Sequence, residues 1–273
     1  MNIEEIAKKI ILKLTAQGYQ AYYAGGFVRD LLLGVMSDDI DIATNASPDE
    51  IKGLFDKTVD VGERFGCVVV VEEGEAFEVT TFRRDGCYNG RHPDEVEFCE
   101  AKEDSFRRDF TVNGMFYDPI ESKVIDYVEG KKDLKAGILR AIGNAHERFE
   151  EDRLRMLRAI RFTVCLNFSL DSLTKQAIIS HAKHLFPSVA RERIWKEWSR
   201  MVGSREQFCK AIVLLEECFL LDEIFPPSIC SSRESSKIIL SRLEGFSEQL
   251  DCFDYVLMLF SNATYDQLIA IVE

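Results

Sequence analysis

The sequence predicts an α+β protein, with a mixed β-sheet and flanking helices over residues 1–140 and helices alone after that. Three observations carry this. Short apolar or alternating runs at 20–24, 39–42, 67–71, 77–82, 95–98, 124–128 and 138–142 have the length and period of strands, and helical patterns at 3–17 and 48–55 lie among them. From about 145 onward only helical patterns remain, at 150–162, 172–184, 189–202, 205–220 and about 234–273, broken at Pro187, Gly203 and Pro226-Pro227. The 273 residues suffice for two domains, 46% of them are hydrophobic, and no internal repeat interrupts the pattern.

In chain order, Ile3, Ile6, Ala7, Ile10, Ile11 and Leu14 form a helical stripe with Lys and Glu opposite, and Gly18 ends it. The strand Gln20–Ala24 then runs into Gly25-Gly26. A helix starting after two glycines points unpaired N–H groups and the positive end of its dipole over the turn, which suits a triphosphate. A tight turn without a ligand uses the same pair. If 39–42 is a strand, Asp39 and Asp41 share one face around Ile40. Side-by-side carboxylates repel, and Mg²⁺, an oxygen-seeking ion that also carries phosphates, would remove that cost. A solvated acidic turn over Ser37-Asp38-Asp39 is the alternative.

Ser47, Pro48 and Glu50 supply an N-cap, a first helical residue and a capping-box acid. Residues 67–71 and 77–82 pair as a hairpin about Glu72-Glu73-Gly74-Glu75, with Glu78 as either a third acid for a metal site or an outward-facing charge. Residues 83–93 read as a mobile loop beginning at Arg83. The segment 103–116 holds Arg107-Arg108-Asp109-Phe110-Thr111-Val112-Asn113, in which adjacent guanidinium forks serve as surface charge or as phosphate partners. Gly130 and Gly143 read as turns.

In the helical half, Glu150 to Phe162 reads as one helix, acidic first and basic after. Glu151 and Asp152 lie four and three residues before Arg155, on one face. This is an intrahelical ion pair worth about 0.2–0.5 kcal/mol, or an acceptor and donor that read the edge of a base. His181 and His184 read as surface residues, and Trp195 with Trp198 as a helix-packing seam.

The net charge of −13 argues against a protein that coats nucleic acid, but residues 145–210 carry 13 Lys and Arg against 8 Asp and Glu, which leaves that segment at +5 and the remainder at −18. Eight cysteines with no C-x-x-C pair suit reduced thiols. The N-terminus lacks a signal-peptide pattern and no apolar run reaches membrane-spanning length, so a soluble, cytoplasmic protein with no membrane partner is expected. Nothing in the sequence fixes an oligomeric state.

Seven stretches, in this order, resemble one family: Gly25-Gly26-Phe27-Val28-Arg29-Asp30, Asp39 to Thr44, Glu78 to Arg83, Gly90-Arg91-His92-Pro93, Arg107 to Asn113, Asp126 to Gly130, and Glu151-Asp152 with Arg155. The family is the class II (bacterial and eukaryotic type) tRNA nucleotidyltransferases, comprising CCA-adding enzymes and related poly(A) polymerases. The resemblance spans residues 20–225 and implies a nucleotidyltransferase head over 1–140. It further implies a helical neck over 141–205, with a base template and an RNA-binding surface, and a helical body over 206–273 whose tail is absent or truncated.

The implied activity is template-independent addition of C and A from CTP and ATP to the tRNA 3′ end, by two-metal phosphoryl transfer with Mg²⁺ as cofactor and pyrophosphate as product. By resemblance, Asp39 and Asp41 hold the metal with Glu78 beside them, and Gly25, Gly26 and Arg29 face the triphosphate. Arg107, Arg108, Asp109 and Asn113 handle phosphate and ribose. Glu151, Asp152, Arg155 and Arg158 bind the base, and Arg83, Arg161, Arg191 and Arg193 contact RNA. Gly114 stands where the family commonly has alanine. Addition of only CC or only A, poly(A) synthesis, and a catalytically silent RNA-binding module remain as alternatives.

Overall fold

Residues 2–62, 66–86, 96–225 and 252–259 are described in a computed structural model. The chain divides into two units, Met1–Ala136 with Arg140–Asn144, and Gly137–Leu139 with Ala145–Glu273.

The first unit begins with α1 (Ile3–Ala16), closed at its start by a reciprocal capping box between Asn2 and Glu5. Its buried stripe, Ile6, Ala7, Ile10, Ile11 and Leu14, packs against the sheet. The chain then forms β1 (Ala21–Ala24), α2 (Gly26–Leu33), β2 (Asp41–Thr44), α3 (Pro48–Leu54), β3 (Thr58–Gly62), β4 (Cys67–Glu72) and β5 (Glu75–Thr81). After β6 (Arg83–Asp85) and β7 (Val96–Phe98) come α4 (Ala101–Phe106), β8 (Phe116–Asp118), β9 (Lys123–Ile125) and α5 (Gly130–Ala136). Seven strands make one sheet in the order β3-β4-β5-β2-β1-β8-β9, and β6 pairs with β7 separately. Only β2 and β5 are parallel in the large sheet. Parallel neighbours need a long crossover, and here α3, β3 and β4 supply it. Ala24, Ala43, Phe82, Ala101 and Phe116 form one buried cluster of this unit, with Phe82 set edge-on to Phe116.

Three expectations change here. The second strand starts at Asp41, which leaves Asp39 in the preceding loop, because Ala24 opposite Asp41 is the last pair before β1 turns away at Gly25. Gly130 opens α5 instead of making a turn, since the Asp126 carboxylate accepts the N–H groups of Val128, Gly130 and Lys131. Residues 138–142 do not close the first unit as one strand. Ala141 bridges to Phe110 there, whereas β10 (Ile138–Leu139) pairs in parallel with β11 (Ser169–Leu170) in the second unit.

The described residues of the second unit otherwise carry helices: α6 (Ala145–Glu151), α7 (Leu154–Cys165), α8 (Ser172–His181), α9 (Arg191–Met201), α10 (Arg205–Glu217), α11 (Leu221–Ile224) and a helix over Cys252–Leu259. The single helix expected over 150–162 is two. The Asp152 side chain accepts the Leu154 N–H at 3.0 Å, so Asp152 and Arg153 form a turn between α6 and α7. Trp198 is 1% exposed and packs on Phe208 and Phe225, but Trp195 is 42% exposed and belongs to no seam. His181 is buried, not on the surface. The Gly90-Arg91-His92-Pro93 stretch, Pro226-Pro227 and most of the helix expected over 234–273 lie outside the described residues. Among the described residues no helix is long and apolar enough to cross a membrane.

Candidate active site

The ladder between β1 and β2 explains why Gly25 and Asp41 meet. Asp41 opposes Ala24, so the turn that follows Ala24 begins beside the Asp41 carboxylate. Gly25 has φ +69°, a conformation that disfavours any side chain, and a Cβ there would stand 3.4 Å from both Asp41 Oδ2 and Arg108 Nη1. Glycine thus keeps open a small space bounded by a carboxylate and a guanidinium. No side chain caps α2, so the N–H groups of its first turn face that space uncapped by any side chain.

Asp39 and Asp41 flank buried Ile40, with Asp39 exposed and Asp41 half-buried. Glu78 lies one residue before Val79, the partner of Ile42, so it runs alongside Asp41 on the neighbouring strand. Burial, and then the charges of Asp39 and Glu78, push the Asp41 carboxyl up from 3.8 to about 6, against the opposing pull of Arg108. Three acids gather along the edge where β2 begins, and Asp41 among them is held above the ordinary carboxyl range chiefly by its burial.

The arginines are positioned by a residue that the sequence reading did not single out. Asp104, 1% exposed, accepts Arg107 Nε at 2.8 Å on one oxygen and Arg108 Nη2 at 2.8 Å and Nε at 3.1 Å on the other. It also accepts the Arg83 backbone N–H at 3.2 Å. The signal was present in the spacing, since Asp104 precedes Arg107 and Arg108 by three and four residues. Arg108 further lies 4.9 Å over the Phe116 ring, which fixes the guanidinium that reaches Gly25.

Arg29 is 8% exposed. Its guanidinium is engaged with both oxygens of Asp30, and with Asn113 Oδ1 at 2.7 Å. Asn113 Nδ2 in turn donates to Asp109 Oδ1 at 3.2 Å. Arg29, Asp109 and Asn113 are therefore one buried network that sets the 3-10 turn Thr111–Asn113. Gly26 borders the same guanidinium.

In the second unit, Asp152 Oδ2 accepts Arg193 Nη2 at 2.9 Å, while Arg155 pairs with Glu151 and donates to the Arg148 carbonyl at 3.2 Å. Asp152 and Arg155 thus have separate partners, each held by its own. Arg161 Nε lies 2.7 Å from Glu197 Oε2 without hydrogen-bond alignment, and Arg158 lies 4.0 Å from the same carboxylate, which is buried. Arg161 and Arg193, expected at RNA, have their charge compensated inside the unit. Arg191 is exposed at the start of α9 and Arg83 is half-buried at the start of β6.

Residues 21–140 match the poly(A) polymerase head domain. The chain is 46% identical over 206 residues to the CCA-adding enzyme of Ligilactobacillus salivarius, covering 74% of this chain and 50% of that protein. Over residues 21–140 the chain belongs to the poly(A) polymerase head-domain family. In structure it is similar to the Bacillus stearothermophilus CCA-adding enzyme in complex with CTP, with TM-score 0.74 and 41% identity over 81% of this chain and 53% of that one. A tRNA nucleotidyltransferase complexed with a primer tRNA and an incoming ATP analog matches with TM-score 0.72 and 27% identity, over 99% of this chain and 78% of that one. The chain spans about half the length of the curated relatives it matches.

For a member of this family, the acid edge can be tested for fit to a divalent cation. Its donors are all oxygen, which suits a hard ion, and Asp39 and Glu78 both act on Asp41 as like charges that a cation would offset. Among the described residues, however, no three His, Cys, Asp or Glu side chains are arranged to enclose a metal ion. Glu78, exposed on its strand, does not complete such a cage. The arrangement is an open pair of carboxylates, the kind of site that leaves coordination positions for substrate phosphates. Gly114 is also accounted for, because a Cβ there would stand 2.8 Å from both Ile142 Cδ1 and Val128 Cγ2.

Proposed function

We propose that this chain adds C and A from CTP and ATP to the 3′ end of tRNA, releasing pyrophosphate, and that it does so in the cytoplasm. The observation that carries the reading is the Gly25 turn bordered by both Asp41 and Arg108, each 3.4 Å from where a Gly25 Cβ would stand, in a chain 46% identical to a CCA-adding enzyme. Asp39 and Asp41 would hold Mg²⁺, which when bound lowers the pKa of the RNA 3′-hydroxyl and offsets charge on the α-phosphate and pyrophosphate. Gly25 gives the triphosphate close approach to the backbone, and Gly26 opens the uncapped helix behind it. Arg108 supplies positive charge beside it, held in place by Asp104. Arg107 shares that anchor. Asn113, locked by Arg29 and Asp109, is the group suited to meet the ribose.

Base choice belongs to Asp152 and Arg155. Cytosine and adenine both offer an amino group that a carboxylate can accept from, and uracil and guanine put a carbonyl there. Each oxygen of Asp152 has a partner and retains a second lone pair. A mispaired buried polar group costs about 1–3 kcal/mol, which is a preference of about fivefold to a hundredfold per group. Of the arginines expected at RNA in the helical unit, Arg191 is the one that is exposed and suits RNA phosphates, because Arg161 and Arg193 are occupied.

The test uses tRNAs ending in the discriminator base, in C and in CC, with Mg²⁺ and each NTP in turn. Incorporation of CTP and then ATP on the first substrate is expected, with Asp152→Ala relaxing the choice. Uptake of UTP or GTP by the wild type as readily as CTP and ATP would refute the base-reading role. Addition confined to C or to A, or a run of A on unstructured RNA, would replace CCA addition with the narrower or the poly(A) activity.

A further inference from the structure

Three of the chain's four histidines meet around the Asp152–Arg153 turn, in a place that the proposed chemistry does not use. Arg153 Nη1 lies 2.6 Å from His181 Nδ1, and His181 Nε2 lies 3.1 Å from His146 Nδ1. The two rings stand edge to face, 5.2 Å between centroids. Hydrogen-bond chemistry fixes the protons along this chain. A guanidinium only donates, so His181 Nδ1 must accept, and its proton sits on Nε2, which donates to His146 Nδ1. The relay joins α6 through His146, the turn through Arg153, and α8 through His181.

Arg153 adjoins Asp152, whose carboxylate is held from the other side by Arg193 of α9. The two-residue turn is thus clamped by two separate hydrogen-bonded arms, one through the Arg193 guanidinium and one through the His181 imidazole. We propose that His181, seated against His146, is a positioning residue, which holds Arg153 and with it the Asp152 turn in base-reading geometry while its ring is neutral, and releases it on protonation. The inference rests on the base-reading role of Asp152 given above.

A protonated His181 would turn Nδ1 into a donor facing a donor, and would add positive charge beside Arg153. The charged and titratable groups that face His181 are Arg153, Glu150, His146 and His184. Burial first, and then Arg153, hold His181 below its ordinary 6.5, with Glu150 opposing. The relay is therefore intact at and above pH 7 and breaks only as pH falls below about 6.5.

The experiment has two arms on the full chain. Long-range ¹H–¹⁵N spectra read the ring tautomers: at pH 8 His181 is expected as the Nε2–H form and His146 as its acceptor at Nδ1. A His181 found with its proton on Nδ1 overturns the relay whether or not the protein transfers nucleotides. The second arm measures kcat/KM for CTP and UTP on tRNA lacking CCA between pH 8 and pH 5.5. The wild-type preference for CTP should fall about tenfold with acid, mainly through KM. His181→Phe, and Arg153→Met should the first not fold, should show the low preference at every pH. A preference that is flat with pH in the wild type, or a variant that discriminates as well as the wild type, sinks the positioning role. Absence of all nucleotide addition would instead count against the activity proposed above, and the tautomer then decides the relay.

Discussion

Replacing Asp104 with Asn keeps the shape of the side chain and removes its charge. Asp104 carries four hydrogen bonds, from Arg107, twice from Arg108 and from the Arg83 backbone, in a site where it is 1% exposed and each arginine side chain 17% exposed. Breaking a buried ion pair from one side costs about 3–5 kcal/mol, because the remaining charge stays desolvated. Partial exposure of the arginines relieves some of this, so about 3 kcal/mol is expected. With a urea slope of about 2 kcal/mol per M, the unfolding midpoint of Asp104→Asn should fall by about 1.5 M at pH 7. Burial alone pushes the Asp104 carboxyl up, but Arg108, Arg107 and their hydrogen bonds overcome it and hold it below 3.8. Its stabilisation is therefore fully present above about pH 4 and is lost as pH falls through the depressed value, so the gap between wild type and variant should close in acid. A midpoint within about 0.3 M of wild type at pH 7, or a gap that widens below pH 4, would overturn the account. Nucleotide KM should rise together with the loss of stability, since Arg108 is released from Gly25.

Asp41→Asn should abolish nucleotide transfer while stabilising the cation-free protein by about 2 kcal/mol above pH 6, because a carboxyl held at about 6 destabilises the fold when ionised; thermal melts in EDTA check this. By the same logic, wild-type Mg²⁺ or Mn²⁺ binding, followed by calorimetry, should weaken as pH falls through about 6 and Asp41 takes up its proton. Gly130→Ala should cost about 3 kcal/mol or more, since its Cβ would lie 2.3 Å from the Thr111 carbonyl and displace the turn that carries Asn113. Gly114→Ala, which meets only the side-chain ends of Ile142 and Val128, should cost about 1–2 kcal/mol. If denaturant titration finds the two glycine variants equally stable, the close packing assigned to this turn is wrong.

Strands and helices with strong local patterns were legible at once. The stripe of α1, the Ser47 cap and the 67–82 hairpin stand where their period and capping residues put them. Errors fell where a contact distant in sequence decides the local structure. Asp39 drops out of β2 because β1 has no residue left to pair with it. The 150–162 helix breaks because the Asp152 side chain competes for a backbone N–H, a choice reinforced by Arg193 forty-one residues away. His181 and Trp195 exchanged the surfaces expected of them, since periodicity states which residues share a face and not which face is covered.

By itself the sequence determined the fold class, the family and the types of residue the chemistry would need, because seven short motifs in a fixed order survive without reference to distance. Only the tertiary structure decided which of those residues are paired with one another and which stay exposed. Pairing is settled by proximity: Arg29 is taken up by Asp30 and Asn113, Arg161 by Glu197 and Arg193 by Asp152, while Arg108, anchored on Asp104, also borders Gly25. Charges of the same type read alike along a chain, and burial with an opposite charge, which a linear sequence does not encode locally, is what tells them apart.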